Sequence, residues 1–293
     1  MQFHVLATDY DGTLATDGVV PDETIRALER LRNSGRKILL VTGRIIPQLL
    51  HVFPQLKLCD LVVADNGAVL YEPTTGKVER LADPPPQEFI LELAKRGVPE
   101  LEVGDVIVAT WEPHEATVLQ TIRDLRLELQ IIFNKGSVMI LPTGVNKATG
   151  LRAALNRMGL SHLNAVGVGD AENDQEFLKH CGISVAVDNA LQVVKDQVDI
   201  VTRGARGAGV AELIDQLILD DFAAFCAKRA AAKQAHASDN AAMNQKNVVK
   251  TAAPVTSTPL QIDSTPRPTA EGSASPMPPS IKRTPAIPER GST

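Results

Sequence analysis

The chain has 293 residues, 44% of them hydrophobic and 22% charged, with a formal net charge of −5. This suits one large globular domain or two modest ones, and no apolar run approaches the roughly 18–20 residues of a membrane-spanning helix. Three scattered cysteines (Cys59, Cys181, Cys226) argue against a disulfide framework or a zinc site.

The charge is uneven. From Lys228 onward there are nine Lys/Arg and four Asp/Glu, so the rest of the chain is net acidic by about −10. Nucleic acid is therefore not expected as a partner, nor is a membrane. Met1 to Tyr10 lacks a basic stretch and a cleavage pattern, which leaves a cytoplasmic protein as the expectation.

The first apolar run, Phe3–Thr8, reads as a buried strand. Asp22–Ser34 follows with helical spacing at Ile25, Leu28 and Leu31, closed by Gly35. Arg36–Thr42 and Leu61–Asp65 are further buried strands. Continuous apolar strands separated by helices favour a parallel sheet covered on both faces. The pattern then changes. A helix over Pro84–Arg96, a strand over Asp105–Thr110 and a helix over His114–Leu125 precede two strands, Leu129–Phe133 and Ser137–Leu141, joined across Asn134-Lys135-Gly136. The first pattern resumes with a helix over Asn146–Met158, a strand over Asn164–Gly169 and a helix over Glu172–Lys179. Strands over Ile183–Val187 and Asp199–Thr202 and a helix from about Gly207 to Ala230 complete it.

The expected fold is α/β: a doubly wound, mostly parallel, Rossmann-like sheet over 1–82 and 143–228, with an inserted α+β block over 83–142. The remainder, 229–293, is Ala-rich and then Pro/Ser/Thr-rich, holds nine of the 19 prolines and no aromatic residue, and reads as a disordered tail. It could be a linker, a segment that binds a protein partner, or a tolerated extension.

Four short segments carry chemistry. Asp9 and Asp11 stand two residues apart at the end of the first strand, ahead of Gly12 and Thr13. The carboxyl end of a strand is where open α/β sheets place ligands. Two carboxylates so close repel unless a cation intervenes or one is protonated. An ordinary turn would explain Asp11-Gly12-Thr13 but not Asp9. Thr42-Gly43-Arg44 ends the second strand, where a hydroxyl and free main-chain N–H groups could form an anion nest; a plain helix cap by Thr42 is the other reading. Lys147 falls in the first turn of a helix, against the helix dipole, a cost that an anionic partner would relieve; alone it would pass for a solvated surface lysine. Last, Gly167 to Phe177 contains Asp170 and Asp174, four residues apart and able to share a cation, with Glu172 and Asn173 between them. A dinucleotide fingerprint is ruled out there, since Glu172 occupies the place of its third glycine.

In this order the segments D-x-D-G-T, T-G-R, Lys and G-D-x-x-N-D resemble the four motifs of the haloacid dehalogenase superfamily over about residues 3–220. The place of the insert is similar to the class IIB, or Cof-type, phosphatases, as are Asp65-Asn66-Gly67-Ala68 and the closing segment 199–214, which lacks that group's usual acidic residue before a glycine. The resemblance implies a C2B-type cap at 83–142 and a Mg²⁺-dependent phosphatase acting on a small phosphorylated metabolite. Asp9 would be the nucleophile and Asp11 the acid and base. Thr42, Gly43, Arg44, Lys147 and Asn173 would contact the phosphoryl group or substrate. Mg²⁺ would be held by Asp9, the main-chain carbonyl of Asp11, Asp170 and Asp174. Asn66 would line the cleft. Within the insert, Trp111 and His114 stand out as candidate contacts, with packing and a helix-start surface position as their plainer readings. A phosphomutase and a non-catalytic binding module remain as alternatives.

Overall fold

Strand β1 (Val5–Thr8) has every residue buried. A strand can be apolar throughout only where both faces of its sheet are covered. The computed structural model describes residues 1–231, all within one compact unit. After β1 come α1 (Asp22–Asn33), β2 (Lys37–Val41), α2 (Ile46–Val52), β3 (Leu61–Ala64), β4 (Val69–Glu72) and β5 (Lys77–Arg80). The inserted block holds α3 (Gln87–Lys95), β6 (Glu102–Val103), β7 (Val108–Trp111), α4 (Glu115–Asp124), β8 (Leu129–Asn134) and β9 (Ser137–Pro142). The chain then returns through α5 (Lys147–Met158), β10 (Ala165–Gly169), α6 (Gln175–Lys179), β11 (Ile183–Ala186), α7 (Gln192–Lys195), β12 (Ile200–Val201) and α8 (Arg206–Asp220).

The eight-stranded sheet runs β12-β11-β10-β1-β2-β3-β4-β5. The strands from β12 to β3 are parallel, and β4 and β5 are antiparallel additions. The chain builds outward from β1 first through β2 and β3, then through β10, β11 and β12. The order therefore reverses between β1 and β10, and the crevice at their carboxyl ends is where such sheets hold ligands. Helix α1 buries Thr24, Ala27, Leu28 and Leu31, carries Asp22 and Glu23 in its first turn and Arg30 and Arg32 in its last, in accord with its dipole, and packs against α8. Helix α5 packs on β2, β3 and β4 and on α6.

The second sheet, β6-β7-β9-β8, is antiparallel. Its period of two sets its neighbours. Val138 and Ile140 of β9 join Phe89, Leu93, Val118 and Ile122 under α3 and α4, whereas Met139 and Leu141 join the core of the large sheet. Asp65, fully buried after β3, accepts the main-chain N–H groups of Val106 (2.8 Å) and Ile107 (3.2 Å), tying the inserted block to the large sheet.

Two differences from the sequence reading have physical causes. β4 and β5 were not expected: β5 (Lys-Val-Glu-Arg) lies on the edge, mostly exposed, and has no apolar face to announce it. The last helix does not run unbroken to Ala230. Asp221 and Phe222 take left-handed conformations, so that Phe222 turns into the core edge-on against Phe3 and Asp221 pairs with Arg36. The tail expected at 229–293 lies outside the described residues from 232 onward, and 229–231 continue a helical stretch that begins at 223.

Gly67 and Gly150 set how closely α5 approaches β3. A Cβ on Gly67, whose φ is +112°, would lie 2.0 Å from the main-chain oxygen of Asn146, and one on Gly150 would lie 2.4 Å from Val63. The first of these contacts is backbone and cannot yield. Gly67→Ala is expected to lower stability by about 2–3 kcal/mol, since overpacking and φ strain outweigh the smaller gain from a stiffer unfolded chain. Urea denaturation of the variant against the parent chain measures this.

Candidate active site

Lys147 is the first residue of α5, and its side chain is 2% exposed. Asn146 caps the helix by accepting the Thr149 N–H, and the Thr149 hydroxyl accepts the Asn146 N–H in return. The rest of the site follows from the position this gives the lysine. Its Nζ donates to Asp9 Oδ1 at 2.5 Å and to Asp174 Oδ1 at 2.6 Å. Lys147 is thus no solvated surface lysine; the anionic partners that its place against the helix dipole calls for are present.

Asp9 follows β1 directly and is buried, with its N–H bound to Val168 of β10. Burial and the neighbouring Asp174 push its carboxyl up from 3.8 to about 7, against the pull of Lys147. Lys147 is affected in the opposite sense: burial alone would lower it, but Asp174 and Asp9 hold it above the ordinary lysine value. Asp174 is fully engaged, since its second oxygen accepts the N–H groups of Asp170 and Ala171, both at 2.9 Å. It stands in a 3-10 turn (Glu172–Asp174) rather than a full helical turn beyond Asp170. Burial also raises the Asp170 carboxyl, opposed by Lys135.

Asp11 parts company with Asp9. Its side chain points outward and is gripped by Arg44, whose Nε and Nη2 both donate at 2.7 Å, while the guanidinium lies 5.3 Å from the centre of the Tyr10 ring. The repulsion expected between the two aspartates is therefore removed by a separate cation for each. Arg44 is bound to the acid/base candidate rather than free in the cleft.

Thr42 is buried, and its hydroxyl oxygen accepts the Arg44 N–H at 3.1 Å. It does not cap a helix: α2 begins only at Ile46, so the nest expected at Gly43 is a turn and not a helix N-terminus. Asn173 donates to Asn66 at 3.3 Å, leaving Asn173 Oδ1 and Asn66 Nδ2 buried without partners. The cleft above Asp9 has a volume of about 330 Å³. Its walls include Gly43, Arg44, Gln48 and Asn173 from the large sheet, and Glu102, Trp111, Asn134, Lys135, Ser137 and Met139 from the inserted block. Trp111 is 52% exposed and lines the cleft, so its plainer reading as a packing residue fails, whereas His114 sits half-buried at the start of α4, away from the cleft lining. Gln48, Glu102 and Lys135 have no signal in the linear sequence. Lys135 reads there only as the middle of a hairpin turn.

A divalent cation fits these residues. Oxygens of Asp9, Asp170 and Asp174 lie within 4.8 Å of one another, all three residues being buried. Hard carboxylate donors suit such an ion. The Asp11 carbonyl oxygen and Asp170 Oδ2 already share one cation, the Lys135 ammonium, at 3.1 and 2.8 Å.

Comparison with known proteins agrees with this geometry. The profile of the haloacid dehalogenase-like hydrolases matches residues 6–96 and 99–214. A phosphoglycolate phosphatase of Methanothermobacter thermautotrophicus is 30% identical over 219 residues, covering 71% of this chain and 96% of the relative. A phosphoglycolate phosphatase of Natronomonas pharaonis is 28% identical over 224 residues, covering 72% and 96%. The solved structure of a subclass IIB sugar phosphatase superposes with a TM-score of 0.60 at 23% identity, over 73% of this chain and 99% of that one. The chain belongs to the haloacid dehalogenase-like hydrolases, with the fold of the Cof-type, subclass IIB branch.

Proposed function

We propose that the protein is a Mg²⁺-dependent phosphatase that hydrolyses a small phosphomonoester, of the phosphoglycolate or sugar phosphate class, through an aspartyl-phosphate on Asp9. The observation that carries this reading is the buried Asp9 carboxylate at the switch point, held by Lys147 on the floor of a small polar cleft. The names of the curated relatives support the substrate class.

Asp9 attacks phosphorus in line with the ester oxygen, forming its bond to phosphorus as the P–O bond to the alcohol breaks. Asp11 gives a proton to the departing oxygen, then takes one from the water that attacks the phosphoaspartate, releasing inorganic phosphate and free Asp9. Arg44 holds the Asp11 carboxyl apart from Asp9 through two bonds. Lys147, the Thr42 hydroxyl and the Gly43 main chain supply positive charge and donors as charge grows on the phosphoryl oxygens. The unpartnered amide atoms of Asn66 and Asn173 are free to contact a ligand or an ordered water. Asp9, the Asp11 carbonyl and Asp170 beside Asp174 would hold Mg²⁺, which when bound would supply charge neutralisation and favour the ionised, nucleophilic Asp9. The block 83–142 serves as the cap that closes the cleft and selects the substrate.

Three outcomes test this reading. Phosphate release from phosphoglycolate, sugar phosphates and an aryl phosphate is expected to require Mg²⁺ and to stop with chelator; rearrangement of a sugar phosphate without stoichiometric phosphate would mark a mutase instead. Asp9→Asn is expected to lower kcat by about 10³-fold or more, and Asp11→Asn by about 10²–10⁴-fold. The third outcome concerns pH. Because Asp9 is raised from 3.8 to about 7 in the folded, metal-free protein, folding favours its protonated form; this stabilisation is complete below about pH 4 and is lost as pH rises through about 7. Thermal melts in chelator should therefore show the parent chain losing stability across that interval relative to Asp9→Asn. Mg²⁺ should restore the parent at pH 8. Parallel pH profiles for the two proteins would contradict the assignment.

A further inference from the structure

Lys135 occupies the turn between β8 and β9, in a left-handed conformation with φ of 49°. It reaches from the inserted block to Asp170 Oδ2 and the Asp11 carbonyl oxygen. Both atoms are in the ligand set proposed above for the cation, so an ammonium stands where an ion belongs. The other lysine of the site, Lys147, is sealed beneath Asp9 and Asp174 at 2% exposure. Lys135, at 46% exposure, can withdraw into water or into the cleft at little desolvation cost. A divalent cation on the same pair of oxygens would repel the ammonium at contact distance and compete with it for their lone pairs, so binding of the ion favours release of Lys135.

Once displaced, Lys135 lacks a partner. The cations among the described residues lining the cleft are Arg44 and Lys135. Arg44 is committed to Asp11 by both of its bonds. The one acidic side chain that the inserted block brings to the cleft, Glu102, is bonded to Gln48. An anionic group on the alcohol part of a substrate is what remains to pair with the released ammonium.

We propose that Lys135 is a substrate-positioning residue that holds the cation's seat in the metal-free protein and, when the cation displaces it, turns to a carboxylate on the leaving group. The inference rests on the phosphatase reading and narrows it to phosphomonoesters whose alcohol carries a second acidic group. It also makes cation binding and release of the β8–β9 turn a single event.

The test uses the full chain, stripped of metal, as parent, Lys135→Met and Lys135→Arg, with melting curves in chelator to establish that all three fold. Calorimetric titration with Mg²⁺ alone is expected to show at least fivefold tighter binding by Lys135→Met, with Lys135→Arg close to the parent. In steady-state assays the ratio of KM for phosphoglycolate to KM for ethyl phosphate should rise at least tenfold in Lys135→Met and return toward the parent value in Lys135→Arg. Equal or weaker Mg²⁺ binding by Lys135→Met, or KM values for the two esters that move together, overturns the proposal while leaving the phosphatase reading intact. A parent chain that neither binds Mg²⁺ nor releases phosphate overturns both.

Discussion

One buried ammonium, that of Lys147, joins three parts of the chain that are far apart in sequence: the end of β1, the start of α5 and the turn after β10. A lysine at a helix N-terminus is disfavoured by about 0.3–1 kcal/mol. Removing one partner of a buried ion pair costs about 3–5 kcal/mol, because the charge left behind is uncompensated. The second effect is the larger, and it decides the local geometry. Helix α5 must begin where its first side chain can reach both carboxylates, and the absence of side chains at Gly67 and Gly150 lets it lie that close to β3. Backbone contact and buried charge therefore specify one position between them.

The same interaction leaves a controlled imbalance. Asp9, Asp170 and Asp174 bring three carboxylates into a small buried volume, and Lys147 neutralises only part of that charge. Burial first, and repulsion from Asp174 after it, displaces Asp9 and Asp170 upward. Such a cluster is costly unless a further cation is supplied, and the side chain that stands there, Lys135, is exposed rather than sealed. Asp11 stands apart from this cluster, its charge paired with Arg44.

Much of this was legible in the sequence because the signals were short-range. β1, β2, β3, β10 and β11 are continuous apolar runs, and Asp9, Asp11, Thr42, Lys147 and Asp170 fall at strand ends or helix starts, where periodicity stops and polar residues begin. What escaped depended on distance in sequence. Lys135 meets Asp11 and Asp170 across 124 and 35 residues, and no local pattern distinguishes it from an ordinary turn residue. Arg44 lines the cleft as expected, but its pairing with Asp11 is fixed by where the turn after β1 directs the Asp11 side chain, which spacing alone does not encode. The antiparallel additions escaped for another reason: the edge strand β5 is polar and mostly exposed, so burial imposes no pattern on it, and β4 is only four residues long.

Asp65 holds the inserted block through the main-chain N–H groups of Val106 and Ile107, not through any side chain of that block. This polar part of the joint depends on main chain and on Gly104, where a Cβ would stand 2.6 Å from the Asp65 carboxylate, while Val106, Ile107, Met139 and Leu141 add side-chain packing in the large-sheet core. The wall of the cleft can therefore change its residues over evolutionary time while the attachment point stays the same. Substrate preference and attachment of the block become separable traits, and a lineage can explore new leaving groups without having to rediscover how the two sheets fit together.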